Sequence, residues 1–229
     1  MLAACANEPF AWDEVGYPGA ASGTPAVAHH PGFCSATEAR LGDRRWRAGW
    51  RGATGELAFV MSADDRATWD QPVIADARDP GARVCERHAP SVFADSSNDF
   101  LHAAYFIEAP GAPGVYYVHS MAAAQLEQQG AGMFEQPWAI RYGARPARTS
   151  VASRGDTVVL AYEDPNSARG RIHLAVSSTA GHSFEWHTTV PASEGGVLPG
   201  VELRAREVVV TWRDGGESGR LVRRRGSFR

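Results

Sequence analysis

Residues Ser62 to Trp69 read SADDRATW and run at once into DQP. A serine, two aspartates, a threonine and a tryptophan within eight residues admit two readings, a catalytic cluster of acids or a structural turn. Turn chemistry accounts for each member. An aspartate in a turn accepts hydrogen bonds from nearby backbone N–H groups and so replaces ladder partners the turn has lost. A tryptophan at the end of the turn buries its ring between neighbouring sheets and locks the hairpin.

The surroundings of the octapeptide repeat. Four alternating runs close on an aromatic residue: RWRAGW at Trp50, FLHAAY at Tyr105, TVVLAY at Tyr162 and EVVVTW at Trp212, spaced by 55, 57 and 50 residues. Each is followed by a Gly-containing turn and a second strand-like run: GELAFVMS, GVYYVHS, GRIHLAVS and GRLVRRRGS. The serines that close those runs, Ser62, Ser120, Ser177 and Ser227, fall 12, 15, 15 and 15 residues after the aromatic. Alternation of period two, β-branched and aromatic enrichment and Gly/Pro punctuation predict short antiparallel strands. A helix is predicted only at Met121–Gln129 (MAAAQLEQQ), inserted in the second repeat. Periods near 50 residues with about four strands each are the mark of a β-propeller, an all-β fold.

SADDRATW resembles the Asp-box of sialidases and related propellers, S-x-D-x-G-x-T-W, on the turn between the third and fourth strands of a blade. It matches at Ser62, Asp64, Thr68 and Trp69, and departs at Arg66, where the family prefers glycine. Glycine suits positive φ, so arginine there implies a strained or shifted turn. SSTAGHSF, Ser177–Phe184, is a degenerate second copy that keeps Ser177 and Gly181 and ends on Phe184. FEQP at Phe134–Pro137 echoes WDQP at Trp69–Pro72 as a third remnant. The resemblance covers most of residues 33–229 and implies about four blades of four-stranded antiparallel sheet. The last repeat stops where its fourth strand should begin. An N-terminal strand near Thr24–Ala28 is therefore expected to close the propeller, since β proteins avoid open edges. The alternative is a partial propeller whose free edge meets a partner.

The resemblance also implies a catalytic set: three arginines on the substrate carboxylate, a tyrosine nucleophile paired with a glutamate, and an aspartate acid/base. No residue here can be assigned to it. The Arg-Ile-Pro motif is missing and no tyrosine follows Tyr162. Arg87 in RHAP and Arg145 in ARPART sit at blade entrances and are binding candidates. The acid pairs Asp64–Asp65 and Glu163–Asp164, with Arg213–Asp214, fall in predicted turns and read as solvated. Alternation in GDRRWRAGWRG, from Gly42, sends arginine and tryptophan to opposite faces, which disfavours nucleic-acid stacking. Arg223, Arg224 and Arg225 in RLVRRRGSFR read as a charged strand edge or as a contact for anionic headgroups or an acidic partner.

A net charge of -3 lacks the basic excess of a nucleic-acid binder, so no nucleic-acid partner is expected. At the N-terminus, LAAC at Leu2–Cys5 resembles the lipobox of bacterial lipoproteins, which implies lipidation of Cys5. The basic and hydrophobic segments that should precede it are missing, so either a start codon lies upstream or the tetrapeptide is a chance match. Residues 6–32 read as a tether or arm with the closing strand, and His29–His30 within it as solvated loop. With Cys5 lipidated, Cys34 and Cys85 are left to form one disulfide or to stand as buried thiols. No Cys/His grouping has zinc spacing, so neither metal nor cofactor is expected.

The function expected is that of a non-catalytic, lipid-anchored binding or scaffold protein, periplasmic or at the cell surface. Its partner would be a membrane-protein complex or a glycan, with the membrane surface reached through the anchor. The competing expectation is a sialidase-type glycoside hydrolase.

Overall fold

A computed structural model describes residues 8–17, 32–79, 83–121 and 134–229. Within them sixteen strands form four sheets of four. A three-residue strand, β1 (Phe10–Trp12), comes first in the chain. Blade 1 follows as β2 (Phe33–Leu41), β3 (Arg44–Arg51), β4 (Leu57–Ser62) and β5 (Val73–Asp76). Blade 2 holds β6 (Ser91–Asp95), β7 (Phe100–Ile107), β8 (Gly114–His119) and β9 (Trp138–Tyr142). Blade 3 holds β10 (Thr149–Arg154), β11 (Thr157–Glu163), β12 (Ile172–Ser177) and β13 (Trp186–Thr189). Blade 4 holds β14 (Gly196–Arg204), β15 (Glu207–Asp214) and β16 (Arg220–Phe228), and β1 completes it by pairing antiparallel to β16. Blades 1 to 3 are up-and-down antiparallel meanders, and blade 4 is a three-stranded meander with the N-terminal β1 added at its edge, the arrangement of β-propeller blades.

Alternation along the second strand of each blade builds the cores between blades. Trp46, Ala48 and Trp50 of β3 face blade 2, where Trp50 meets Tyr105 edge to face at 5.7 Å. On β7, Leu101, Ala103, Tyr105 and Ile107 face blade 1, while Ala104 and Phe106 face blade 3. Val158, Leu160 and Tyr162 of β11 return that contact; Val159 and Ala161 meet Val208, Val210 and Trp212 of β15. All four repeat aromatics are thus buried between blades, where such pairs add about 0.5–1.5 kcal/mol beyond area burial.

The innermost strands β2, β6, β10 and β14 contact one another in series. Side-chain hydroxyls hook them together. Thr37 Oγ1 donates to the Pro90 carbonyl at 2.5 Å, Ser91 Oγ accepts from Val151 N at 3.0 Å, and Ser150 Oγ accepts from Val201 N at 3.0 Å. No contact of comparable extent returns from blade 4 to blade 1 among the described residues.

Three expectations change. The strand that fills the fourth sheet is Phe10–Trp12; Thr24–Ala28 lies outside the described residues, and part of the arm is therefore integral to the fold. Phe10 is fully buried against Phe228 and Trp12, and Gly226 opposite leaves room for them: a Cβ there would lie 3.1 Å from Phe10 Cβ and from the Trp12 ring. Trp69 does not enter a core between two described blades. It packs with Phe33, Ala36, Ala58, Val60 and Ile74 on the outward face of blade 1, under the Arg47 guanidinium at 4.2 Å from its ring centroid. The Arg223–Arg225 tract is no free edge, because β16 is paired to β15 on one side and to β1 on the other. The predicted helix lies outside the described residues from 122 to 129, and Met121 is a bend.

Candidate functional site

In each blade the connections before the first strand and between the second and third strands emerge on one end of the molecule. On that end residues 83–88, the close of β7 and the 143–148 connection border a cavity of about 150 Å³ lined by Arg83, Glu86, Arg87, His88, Phe106, Glu108 and Pro146. The octapeptide turn lies at the opposite end of its blade, between β4 and β5.

Arg87 forms part of the wall, and both terminal nitrogens of its guanidinium are held by internal partners, while its buried Nε has none. Its Nη2 pairs with Asp79 Oδ2 at 2.9 Å, with side chains only 5% and 4% exposed. Its Nη1 donates to the carbonyls of Gly55 and Asp79, and the guanidinium lies 5.0 Å over the Trp50 ring. Asp79 Oδ2 accepts in addition from Glu108 N at 2.7 Å, so the pair also fixes the cavity's rim. A buried pair that loses one partner costs about 3–5 kcal/mol, which marks Arg87 as a frame residue. Burial opposes the charge on Asp76, yet hydrogen bonds from Arg78 and Tyr105 outweigh it and hold the carboxyl below its usual range. Arg145 Nη1 donates to the carbonyls of Ser167 and Ala168, tying the 143–148 connection to the turn between β11 and β12.

His88 borders both the cavity and a second polar group. Burial, then the positive charge of Arg148, pull its pKa down, while Glu163 and Glu217 act in the opposite sense. Glu163 is 8% exposed and does not behave as a solvated turn acid. It accepts from Arg148 N at 3.1 Å and from Leu198 N at 2.8 Å, and Arg148 Nη1 lies 3.8 Å from its Oε1. Arg148 also pairs with the exposed Glu217 of the next blade. Leu198 has a φ of +56° beside the β14 bulge, an uncommon conformation for a branched residue. His88, Arg148, Glu163 and Glu217 thus form one electrostatically linked group across the entrances of blades 2 to 4.

RHAP contributes His88 rather than a free Arg87; ARPART contributes Arg148 rather than Arg145; the Glu163–Asp164 pair contributes a buried Glu163. Phe106, Glu108 and Glu217 carried no distinguishing signal, since their role depends on loops that meet only in the fold. Arg224 donates to the Pro191 carbonyl and lies 5.8 Å over the Trp12 ring, and Arg223 is bridged through its backbone to Gly16. Arg225 is exposed on the same strand. None of the three lines the cavity. Cys34 and Cys85 are joined by a disulfide between β2 and the 77–90 connection. Cys5 lies outside the described residues.

The octapeptide turn is closed by its own side chains. Ser62 Oγ donates to Asp64 Oδ1 at 2.8 Å and accepts from Arg66 N at 2.8 Å. Asp64 accepts from Thr68 N at 2.8 Å and from Thr68 Oγ1 at 2.6 Å. Those Thr68 bonds, then Ser62, hold the Asp64 carboxyl down at about 2. Arg66 sits at φ +81°, the left-handed region glycine favours. In blade 3, Ser177 Oγ accepts from Thr179 N and Gly181 N, and Phe184 meets Tyr117 of blade 2 edge to face at 4.9 Å.

No protein-family model matches the chain, and no curated protein matches it. Solved structures do. A Hadza microbial sialidase matches with a TM-score of 0.51 at 14% identity, over 79% of this chain and 42% of its own. The Bacteroides ovatus protein named xyloglucan PUL GH43B matches with a TM-score of 0.51 at 14% identity, over 82% of this chain and 38% of its own. An exo-beta-1,3-galactanase from Phanerochaete chrysosporium matches with a TM-score of 0.50 at 12% identity, over 90% of this chain and 49% of its own. Likeness at this identity establishes the β-propeller fold and leaves the chemistry to the residues. The chain spans less than half the length of each of these proteins.

Proposed function

We propose that this propeller binds carbohydrate without cleaving it, at the end that carries the Arg83–Glu108 cavity, and that it works outside the cytoplasm on a lipid anchor at Cys5. The cavity carries the reading. Its lining combines the buried Phe106 and the exposed Pro146 with the polar side chains of Arg83, Glu86, His88 and Glu108, an apolar patch with convergent polar groups, as in ligand sites. At about 150 Å³ it is below the usual 300–1,000 Å³ of small-molecule sites, a size for one ring or chain end. Two observations weigh against turnover. Arg87 and Arg145, the arginines of the two Arg–Pro pairings in RHAP and ARPART, are bound to internal partners. The inner-rim carboxylate, Glu163, is satisfied by backbone N–H groups. The Cys34–Cys85 disulfide supports an oxidising compartment.

The hydrolase reading keeps one observation in its favour, the grouping of His88, Arg148, Glu163 and Glu217 on the inner rim. A glycan array followed by titration calorimetry, run beside fluorogenic sialoside, arabinofuranoside and galactoside substrates, separates the two. Saturable glycan binding that Phe106→Ala or Glu108→Gln weakens at least about tenfold, with no product released, is the expected result. Product formation that Glu163→Gln abolishes would replace binding by hydrolysis. Failure on every glycan, with a membrane protein complex co-purifying from native membranes, would replace it by a scaffold role.

A further inference from the structure

At the end of blades 2 and 3 opposite the cavity, three side chains distant in sequence converge. His119 closes β8, Glu135 lies between β8 and β9, and His182 sits on the turn between β12 and β13. One ligand atom from each lies within 4.8 Å of the other two. His182 Nδ1 and Glu135 Oε1 are 4.0 Å apart, and the His119 and His182 rings meet edge to face at 4.7 Å.

His119 is the anchor of the group. The residue is 2% exposed, and its Nδ1–H donates to the Ser120 carbonyl at 2.9 Å, which leaves the lone pair on Nε2. That buried Nε2 has no hydrogen-bond partner, an arrangement that ordinarily costs about 1–3 kcal/mol. Phe100 stacks on the ring at 5.4 Å and 17°, fixing its plane. Glu135 N donates to the His119 carbonyl at 3.0 Å, so the carboxylate is tied to the same backbone. An imidazole with one nitrogen hydrogen-bonded to a carbonyl and the other free and oriented is the state of a metal-ligating histidine.

We propose that His119, Glu135 and His182 bind one zinc ion per chain. Two imidazoles and one carboxylate form the nitrogen-rich set that zinc takes, whereas calcium and magnesium take all-oxygen sets. Ligand atoms at about 2 Å from a tetrahedral ion lie about 3.3 Å apart, so the exposed Glu135 and His182 side chains must draw in by about an ångström toward the fixed His119. The fourth position is left to water. The ion would fasten Glu135 and the end of β8 to the blade 3 turn, across the boundary of two blades and away from the carbohydrate cavity. The ligands stand 16 and 47 residues apart, which is why no zinc spacing is visible in the sequence.

The test is made on the full chain, stripped with EDTA and titrated with zinc sulfate by calorimetry, with cobalt(II) absorption as a second readout. Wild type is compared with His182→Ala and Glu135→Gln, both at exposed positions that spare the buried His119 ring. The expected result is one zinc per chain, uncompeted by excess calcium, an intense visible cobalt band of tetrahedral type, and affinity at least about tenfold weaker in either variant. No stoichiometric uptake, uptake unchanged in both variants, or displacement by calcium would each overturn the site.

Discussion

Asp64 accepts three hydrogen bonds within its own turn and has no oxygen turned toward a cleft. Asp64→Ala should lower the melting temperature while leaving carbohydrate binding by the folded fraction unchanged; selective loss of binding at an unchanged melting temperature would contradict the assignment. Gly181 tells the same story from the other copy. It sits at φ +96°, and a Cβ there would fall 2.0 Å from the Tyr117 hydroxyl. Gly181→Ala is therefore expected to cost roughly 2–4 kcal/mol, from left-handed strain plus overpacking, in urea unfolding followed by tryptophan fluorescence. The Asp64 role was legible in the sequence because turn chemistry is local, whereas the approach of Tyr117 to Gly181 was not, because it joins two blades. Arg66 shows the limit of that legibility: its strain was foreseen, but its partnership with Glu38, 28 residues away, was not.

Among the elements, β1 contributes most for its size. Three residues complete a sheet by pairing with Phe228, Ser227 and Gly226, and Phe10 fills the core that blades 3 and 4 share. Phe10→Ala should cost about 3–5 kcal/mol, the range for a fully buried phenylalanine, measured as a shift in the urea midpoint at constant slope. A missing fourth strand could be inferred from the repeat count. Its location could not, because Phe-Ala-Trp is too short to show a period, and only Gly226 opposite it makes the fit. The same reasoning covers Trp69. Phe184, its counterpart in blade 3, meets blade 2, whereas Trp69 faces outward from the first blade, with Arg47 as its cover. The motif specifies a ring at that place in the hairpin and leaves open what it packs against.

Over the whole molecule, burial keeps His88, His102, His119, His173 and His187 less basic than free imidazole, His102 as low as about 3. Between the ordinary value of 6.5 and that folded value the unfolded chain binds protons that the native chain refuses, so stability falls as pH falls. Each such group contributes a slope of up to about 1.4 kcal/mol per pH unit. Asp76 and Asp95, held below their ordinary range by hydrogen bonds that outweigh burial, extend the loss below about pH 4. The guanidinium midpoint in EDTA should therefore drop steadily from pH 7 to pH 4, and His102→Gln should flatten that drop; a pH-independent midpoint would refute it. By itself the sequence determined the all-β class, the four-blade period, the turns that close the hairpins and the segments at the blade entrances, because each is written in residues a few positions apart. The tertiary structure alone decided which strand fills the last sheet, which arginines are spent on internal partners, that Glu163 is buried, and that His119, Glu135 and His182 meet. Those outcomes depend on which surfaces come together across tens of residues, and no local period carries that information.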